Sequence, residues 1–106
     1  MVENTVIEAV KKYLAELPRV GINTRRAILF GSFARGQADE YSDIDLIVIA
    51  PEFDGSREIS LVKGLWLATT GDNRIEPIPC GEHEWETDQS RPILEIARRE
   101  GIIIAA

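Results

Sequence analysis

Apolar residues recur near the start of the chain at Val6, Ile7, Val10, Leu14 and Leu17, the three-to-four spacing of a helix with one buried stripe. Thr5 and Glu8 stand at capping-box spacing ahead of it, and Pro18 and Gly21 end it. Ala27 to Phe30 is a short apolar run from Arg25 that stops at Gly31 and predicts a buried strand. In Ile44 to Ala50 both alternating positions are apolar and many residues are β-branched, the pattern of a central strand covered on both faces. Ile59, Val62, Leu65, Trp66 and Thr69 return to helical spacing within Ser56 to Thr70, with Ser56 as the cap, Trp66 as core and Gly64 in the middle at a cost of about 1 kcal/mol relative to alanine.

After the turn Gly71-Asp72-Asn73, the run Arg74 to Cys80 reads as a strand. Pro77 and Pro79 remove two N–H donors from one side of it, which assigns it to a sheet edge or ends it early. A last helix is expected from Ser90 to Glu100, with Pro92 in its first turn, Arg98 and Arg99 in its last and Gly101 as its stop, followed by a short strand at Ile102 to Ile104. The acidic stretch Glu82 to Glu86 reads as a solvated loop. No repeat, low-complexity stretch or linker interrupts the alternation, which predicts an α/β (α+β) protein with a single sheet packed between helices.

Composition narrows the partners. A length of 106 residues suits one domain spanning 1–106, and 44% hydrophobic with 28% charged residues suits a globular chain rather than a disordered one. Eighteen acidic against twelve basic residues give a net charge of -6, which argues against long nucleic acid held on a broad basic surface. The only cysteine, Cys80, rules out an internal disulfide and a cysteine-cluster metal site, and points to a reducing, cytoplasmic setting. The N-terminus lacks the pattern of a signal peptide, and no apolar run reaches the ~20 residues of a membrane span.

The candidate chemistry lies between the first two strands, in Gly31 to Leu46. Gly31-Ser32 ends a buried strand, where glycine lets the backbone turn sharply and approach a ligand; with Phe33 to Gly36 as the first turn of a short helix, its N–H groups and the hydroxyl would form an anion site. By itself a Gly-Ser after a strand is an ordinary turn. Asp43 and Asp45 are two apart, so their carboxylates share a face about 7 Å apart along the backbone. Like charges so placed suit a hard divalent cation, magnesium above all, although a lone Asp-x-Asp also reads as a solvated strand start. Together, Gly31, Ser32, Gly36, Ser42, Asp43 and Asp45 form a fixed-spacing set, and residue frequencies of ~5 to 8% each make a chance match on the order of one in ten million.

Gly31-Ser32, ten residues, then Asp43-Ile44-Asp45 resembles the signature of the minimal nucleotidyltransferases of the DNA polymerase beta-like superfamily, and the leading helix, third strand and closing Arg99-Glu100-Gly101 extend the likeness over nearly the whole chain. The resemblance implies a mixed sheet flanked by helices and a magnesium-dependent transfer of a nucleoside monophosphate, AMP from ATP, to a hydroxyl. It also implies a third carboxylate on a later strand. Glu76 is chosen over Asp72, Glu82 and Glu84 because it alone lies inside an apolar strand-like run; the competing reading pairs it with Arg74 or another base as a surface ion pair.

On this resemblance Asp43, Asp45 and Glu76 are the catalytic and metal-binding set for two magnesium ions, and Gly31, Ser32, Arg35 and Ser42 are the nucleotide contacts, Arg35 reading equally as a solvated residue. The small members of the family imply an antitoxin paired with a helical, HEPN-type toxin as acceptor. The alternatives are a non-catalytic antitoxin acting by occlusion, and a regulatory domain without chemistry; a homo-oligomer also stays open. His83 in its acidic run is read as solvent-exposed rather than as a zinc ligand, Trp85 as either a lid over the closing helix or a partner contact, and Cys80 as buried and inert.

Overall fold

In the computed structural model, which describes residues 4–39, 41–55 and 58–106, helix α1 (Asn4–Glu16) leads through a 3-10 turn into strand β1 (Arg26–Phe30). Strand β2 (Ile44–Ile49), helix α2 (Ile59–Leu67) and strand β3 (Ile75–Cys80) follow, then helices α3 (Glu82–Thr87) and α4 (Pro92–Glu100) and strand β4 (Ile102–Ala105). The four strands form one mixed sheet in the order β3-β2-β1-β4. β1 runs antiparallel to both β2 and β4, and β2 runs parallel to β3. The architecture is the expected one, a mixed sheet between helices.

Alternation along the strands divides the core between the two faces of the sheet. Ala27, Leu29, Ile44, Leu46, Val48 and Ile75 pack on the side of α1 and α2 with Val6, Val10, Tyr13, Leu14 and Leu65. Ile28, Phe30, Ile47, Ile49 and Cys80 pack on the side of α4 with Leu94 and Ala97, joined by Ile78 and Trp85. Both faces of β2 are therefore covered, which is why its sequence is apolar at nearly every position. Tyr13 is buried on the first side, and its hydroxyl donates to the carbonyl of Leu65 at 2.8 Å, tying α1 to α2.

The prolines lie where the edge assignment requires. Ile44 N–H donates to the Arg74 carbonyl and Ala50 N–H to that of Cys80, so the even-numbered positions of β3 face β2. Pro77 and Pro79, at odd positions, turn their missing donors to the outer edge.

Several expectations need correction. α1 already includes Asn4, so Thr5 lies within the helix rather than capping it. Ser56 lies outside the described residues, so its capping role is not assigned. Trp66 is half exposed, and Ile59 and Leu67 more so: α2 buries Leu65 and part-buries Leu61, and Trp66, one residue further on, is rotated by about 100° to the outside. Phe33 to Gly36 form hydrogen-bonded turns and no helix.

Glu82 to Glu86, expected as a loop, lies within α3. The helix start is held by Asp54, which accepts from His83 N–H at 3.1 Å and Glu84 N–H at 3.2 Å, and by Glu84 Oε1, which accepts from Gly81 N–H at 3.0 Å. Arg98 closes its other end by donating to the carbonyls of Trp85 and Asp88, with its guanidinium 5.0 Å from the Trp85 ring centre. Trp85 thus packs under α4, whereas His83 is exposed. Among the described residues no helix is long and apolar enough to cross a membrane.

Gly101 stops α4 for lack of space rather than by a left-handed turn. Its φ is -77°, and an added Cβ would fall on the Ala97 carbonyl oxygen and the Ile28 side chain. Gly101→Ala is therefore expected to cost about 1–3 kcal/mol through overpacking. Urea unfolding checks this as a lower midpoint at unchanged slope.

Candidate active site

β1 ends and β2 begins at the same end of the sheet, because the two strands are antiparallel and Phe30 pairs with Asp45. β3 is parallel to β2 with Asp45 opposite Glu76, and paired residues of neighbouring strands present their side chains to the same face. Asp45 and Glu76 therefore stand side by side on the α4 face, as Ile47 and Ile78 do further in. Asp43, just before β2 and two residues from Asp45, shares that face and lies near enough for its charge to raise the pKa of both Asp45 and Glu76. The structure thus brings together the three acids that the sequence singled out.

The pairing of Glu76 with Arg74 does not hold. Arg74 is taken by Asp72, with Nη2 to Oδ2 at 2.7 Å and Nε to Oδ1 at 3.0 Å, and that pairing holds the Asp72 carboxyl below its usual range. Asp72 is thereby engaged as an ion-pair partner. Glu84 is likewise committed, to Gly81 and to Arg91 at 2.8 Å.

The electrostatics of the trio follow from crowding at the mouth of an apolar sheet. Burial raises the Asp45 pKa first and the charge of Asp43 raises it further, while Arg35 lowers it. Glu76 is raised by desolvation, then by the charge of Asp43 and its hydrogen bond, then by Asp45. Carboxylates that raise one another's pKa are set to gain from a cation, and oxygen donors of this kind suit magnesium. Among the described residues no group of three or more His, Cys, Asp or Glu side chains is gathered closely enough to hold a metal ion. The fit to a divalent ion therefore rests on the chemistry of the carboxylate donors and their mutual repulsion.

Gly31 turns at φ +78°, a conformation that an L side chain rarely adopts. The space its Cβ would fill is occupied by Asp45 Oδ2, so the glycine lets the corner lie directly against the carboxylate. Ser32 is half-buried beside it. Its carbonyl accepts from Gln37 N–H at 2.9 Å, and the Gly31 carbonyl from Arg35 N–H at 3.1 Å, so hydrogen-bonded turns hold the loop.

Arg35 pairs with Glu100, Nη1 to Oε1 at 2.9 Å, and remains close enough to Asp45 to act on its pKa. Ser42 is placed differently: its hydroxyl accepts from Asp39 N–H at 2.9 Å and supports the turn before Asp43. Glu100, which also accepts from Gly31 N–H at 3.3 Å, is the residue that sequence reasoning missed. The signal was the Arg99-Glu100-Gly101 ending, read there as a helix stop and as part of the family layout, with no role given to Glu100. A cavity of about 500 Å³ between α1 and the segment after α2 takes in Ile75, on the face opposite the acids, and belongs to a different part of the molecule.

The Nucleotidyltransferase domain family matches residues 7–96, and the chain belongs to that family. Two proteins of Methanocaldococcus jannaschii, each named "Putative protein adenylyltransferase", are similar in part. One is 35% identical over 54 residues, 50% of this chain and 54% of that protein; the other is 78% identical over 23 residues, 22% and 16% respectively. The chain therefore matches about half or less of the length of these relatives. A crystal structure of a "putative nucleotidyltransferase" from Sulfolobus solfataricus shares the fold at a TM-score of 0.67 and 17% identity, covering 93% of this chain and 78% of its own. A structure described as a "putative minimal nucleotidyltransferase" aligns at a TM-score of 0.58 and 29% identity, covering 96% and 95%.

The raised acids predict a pH dependence. The folded protein holds protons on Asp45 and Glu76 that the unfolded chain releases, so their contribution to stability is present at low pH and is lost as pH rises from the ordinary carboxylate range through the raised values. Asp43→Asn removes the like charge acting on both. In chelator it should flatten this fall and raise Tm at neutral pH by a few degrees, and parallel Tm-against-pH curves for the two proteins would contradict the coupling. Gly31→Ala should cost about 1–2 kcal/mol for its left-handed conformation alone, with a further loss as Asp45 is displaced; chemical denaturation measures the total.

Proposed function

We propose that the chain is a magnesium-dependent nucleotidyltransferase that moves AMP from ATP to a hydroxyl on a partner protein. The observation that carries this reading is the meeting of Asp43, Asp45 and Glu76 on one face, against a Gly-Ser corner whose glycine touches the Asp45 carboxylate. A protein as acceptor is supported by the names of the two relatives and by the openness of the site, since Asp43 and Glu76 are both solvent-exposed at a strand mouth.

In the reaction the acceptor hydroxyl oxygen attacks the α-phosphorus of ATP, the bond to the bridging oxygen breaks, and pyrophosphate leaves in line. Asp43, Asp45 and Glu76 would hold magnesium, which supplies charge neutralisation for the triphosphate and the leaving group when bound. Glu76, already inclined to hold a proton by its neighbours, takes the proton that the hydroxyl loses. The Ser32 N–H and hydroxyl grip the β- and γ-phosphates, Gly31 giving the backbone room to approach and Arg35 standing beside them.

The acceptor fits a tyrosine of a helical, HEPN-type toxin, with the chain as its antitoxin; this part rests on the sequence resemblance. A second reading, an antitoxin that acts by binding alone, is favoured by the apolar surface of Ile59, Trp66 and Leu67 on α2. Asp43→Asn separates the two: the transferase reading requires loss of toxin control with the complex intact.

With ATP, magnesium and a co-expressed partner, mass spectrometry should find one or more AMP additions on a hydroxyl side chain of the partner. The addition should be absent with Asp43→Asn; the same modification with that variant would remove this chain as the enzyme. Glu76→Gln should slow transfer by about 10²-fold or more, the scale of a lost general base, with ATP binding changed far less. Ser32→Ala should raise the KM for ATP without altering the fold.

A further inference from the structure

Glu100, the last residue of α4, directs one carboxylate oxygen at two donors of the Gly-Ser corner, Gly31 N–H at 3.3 Å and Arg35 Nη1 at 2.9 Å. The β1–β4 register explains the first contact. Leu29 pairs with Ile102, and two residues further along Gly31 falls opposite Glu100, where the chain is already helical. Odd-numbered residues of this segment bond toward β4, as Ala106 N–H does to the Arg25 carbonyl at 2.9 Å. The Glu100 side chain thus stands in for the strand carbonyl that the ladder lacks at this point. The same oxygen holds Arg35, whose Nε also donates to Gln37 Oε1 at 3.2 Å.

We propose that Glu100 is a positioning residue of the nucleotide site. It pins the Gly31 amide and the Arg35 guanidinium in place before a triphosphate arrives, so that the left-handed turn stays fixed against Asp45 and the remaining N–H donors of Arg35 are held beside Ser32 for the phosphates. The inference rests on the nucleotidyltransferase reading above, and adds to it a brace that reaches the site from the helix at the far end of the chain. A glutamine at position 100 keeps an acceptor for Gly31 N–H while dropping the charge that attracts Arg35, so the two halves of the brace can be tested apart.

The experiment compares the full chain with Glu100→Ala, Glu100→Gln and Arg35→Ala by two measurements: amide hydrogen exchange at Gly31, and calorimetric titration with magnesium-ATP. Glu100→Ala should speed Gly31 exchange and weaken ATP binding by about tenfold, the scale of one lost hydrogen bond to a charged group. Glu100→Gln should restore Gly31 protection. Arg35→Ala should weaken ATP binding while leaving Gly31 protected. Unchanged Gly31 exchange in Glu100→Ala overturns the brace, and unchanged or tighter ATP binding in that variant overturns its part in the nucleotide site, the tighter case marking Glu100 as a competitor of phosphate. A wild-type chain that fails to bind magnesium-ATP overturns the nucleotide reading itself, and Gly31 exchange then decides by itself whether the brace exists.

Discussion

The pairing of Asp45 with Glu76 across the β2–β3 ladder is the constraint on which the candidate site depends. A slip of one residue would send Glu76 to the α1–α2 face and leave two carboxylates where there are three. The prolines oppose that slip. At odd positions of β3 they face outward, where a missing N–H costs nothing; moved by one, they would face β2 and break the ladder. Pro77 and Pro79 therefore both mark the edge and hold the register that aims the acid.

The same sheet confines where chemistry can sit. With α1 and α2 on one face and α3 and α4 on the other, the middle of β2 is buried and carries only apolar side chains. Charged groups are admitted at the strand ends, where Asp43, Asp45 and Glu76 can still reach water. Membership of the nucleotidyltransferase domain family agrees with this arrangement.

Much of this was legible in the chain because it is written in short-range pattern. Period-two spacing put Asp43 and Asp45 on one face, continuous apolarity identified β2 as central, and two prolines identified β3 as an edge. What was not legible depends on partners distant in sequence. α3 is held by Asp54 and Arg98, and without them Glu82 to Glu86 is only an acidic run. Glu100 looks like any residue of a helix end until β4 folds back beside β1 and brings it to Gly31. Trp66 was misplaced because apolar spacing gives the width of a helix stripe but not which margin the core covers.

The parts of the site also differ in how much of the chain must be ordered to bring them together. Gly31 reaches Asp45 through the single connection between adjacent antiparallel strands, whereas Glu76 arrives only after the crossover through α2. Fraying of the edge strand would thus remove one carboxylate and leave the corner and the aspartate pair standing. An ion bound to all three acids would work as a clasp on that edge, making the order of β3 and the affinity for the ion two views of one equilibrium.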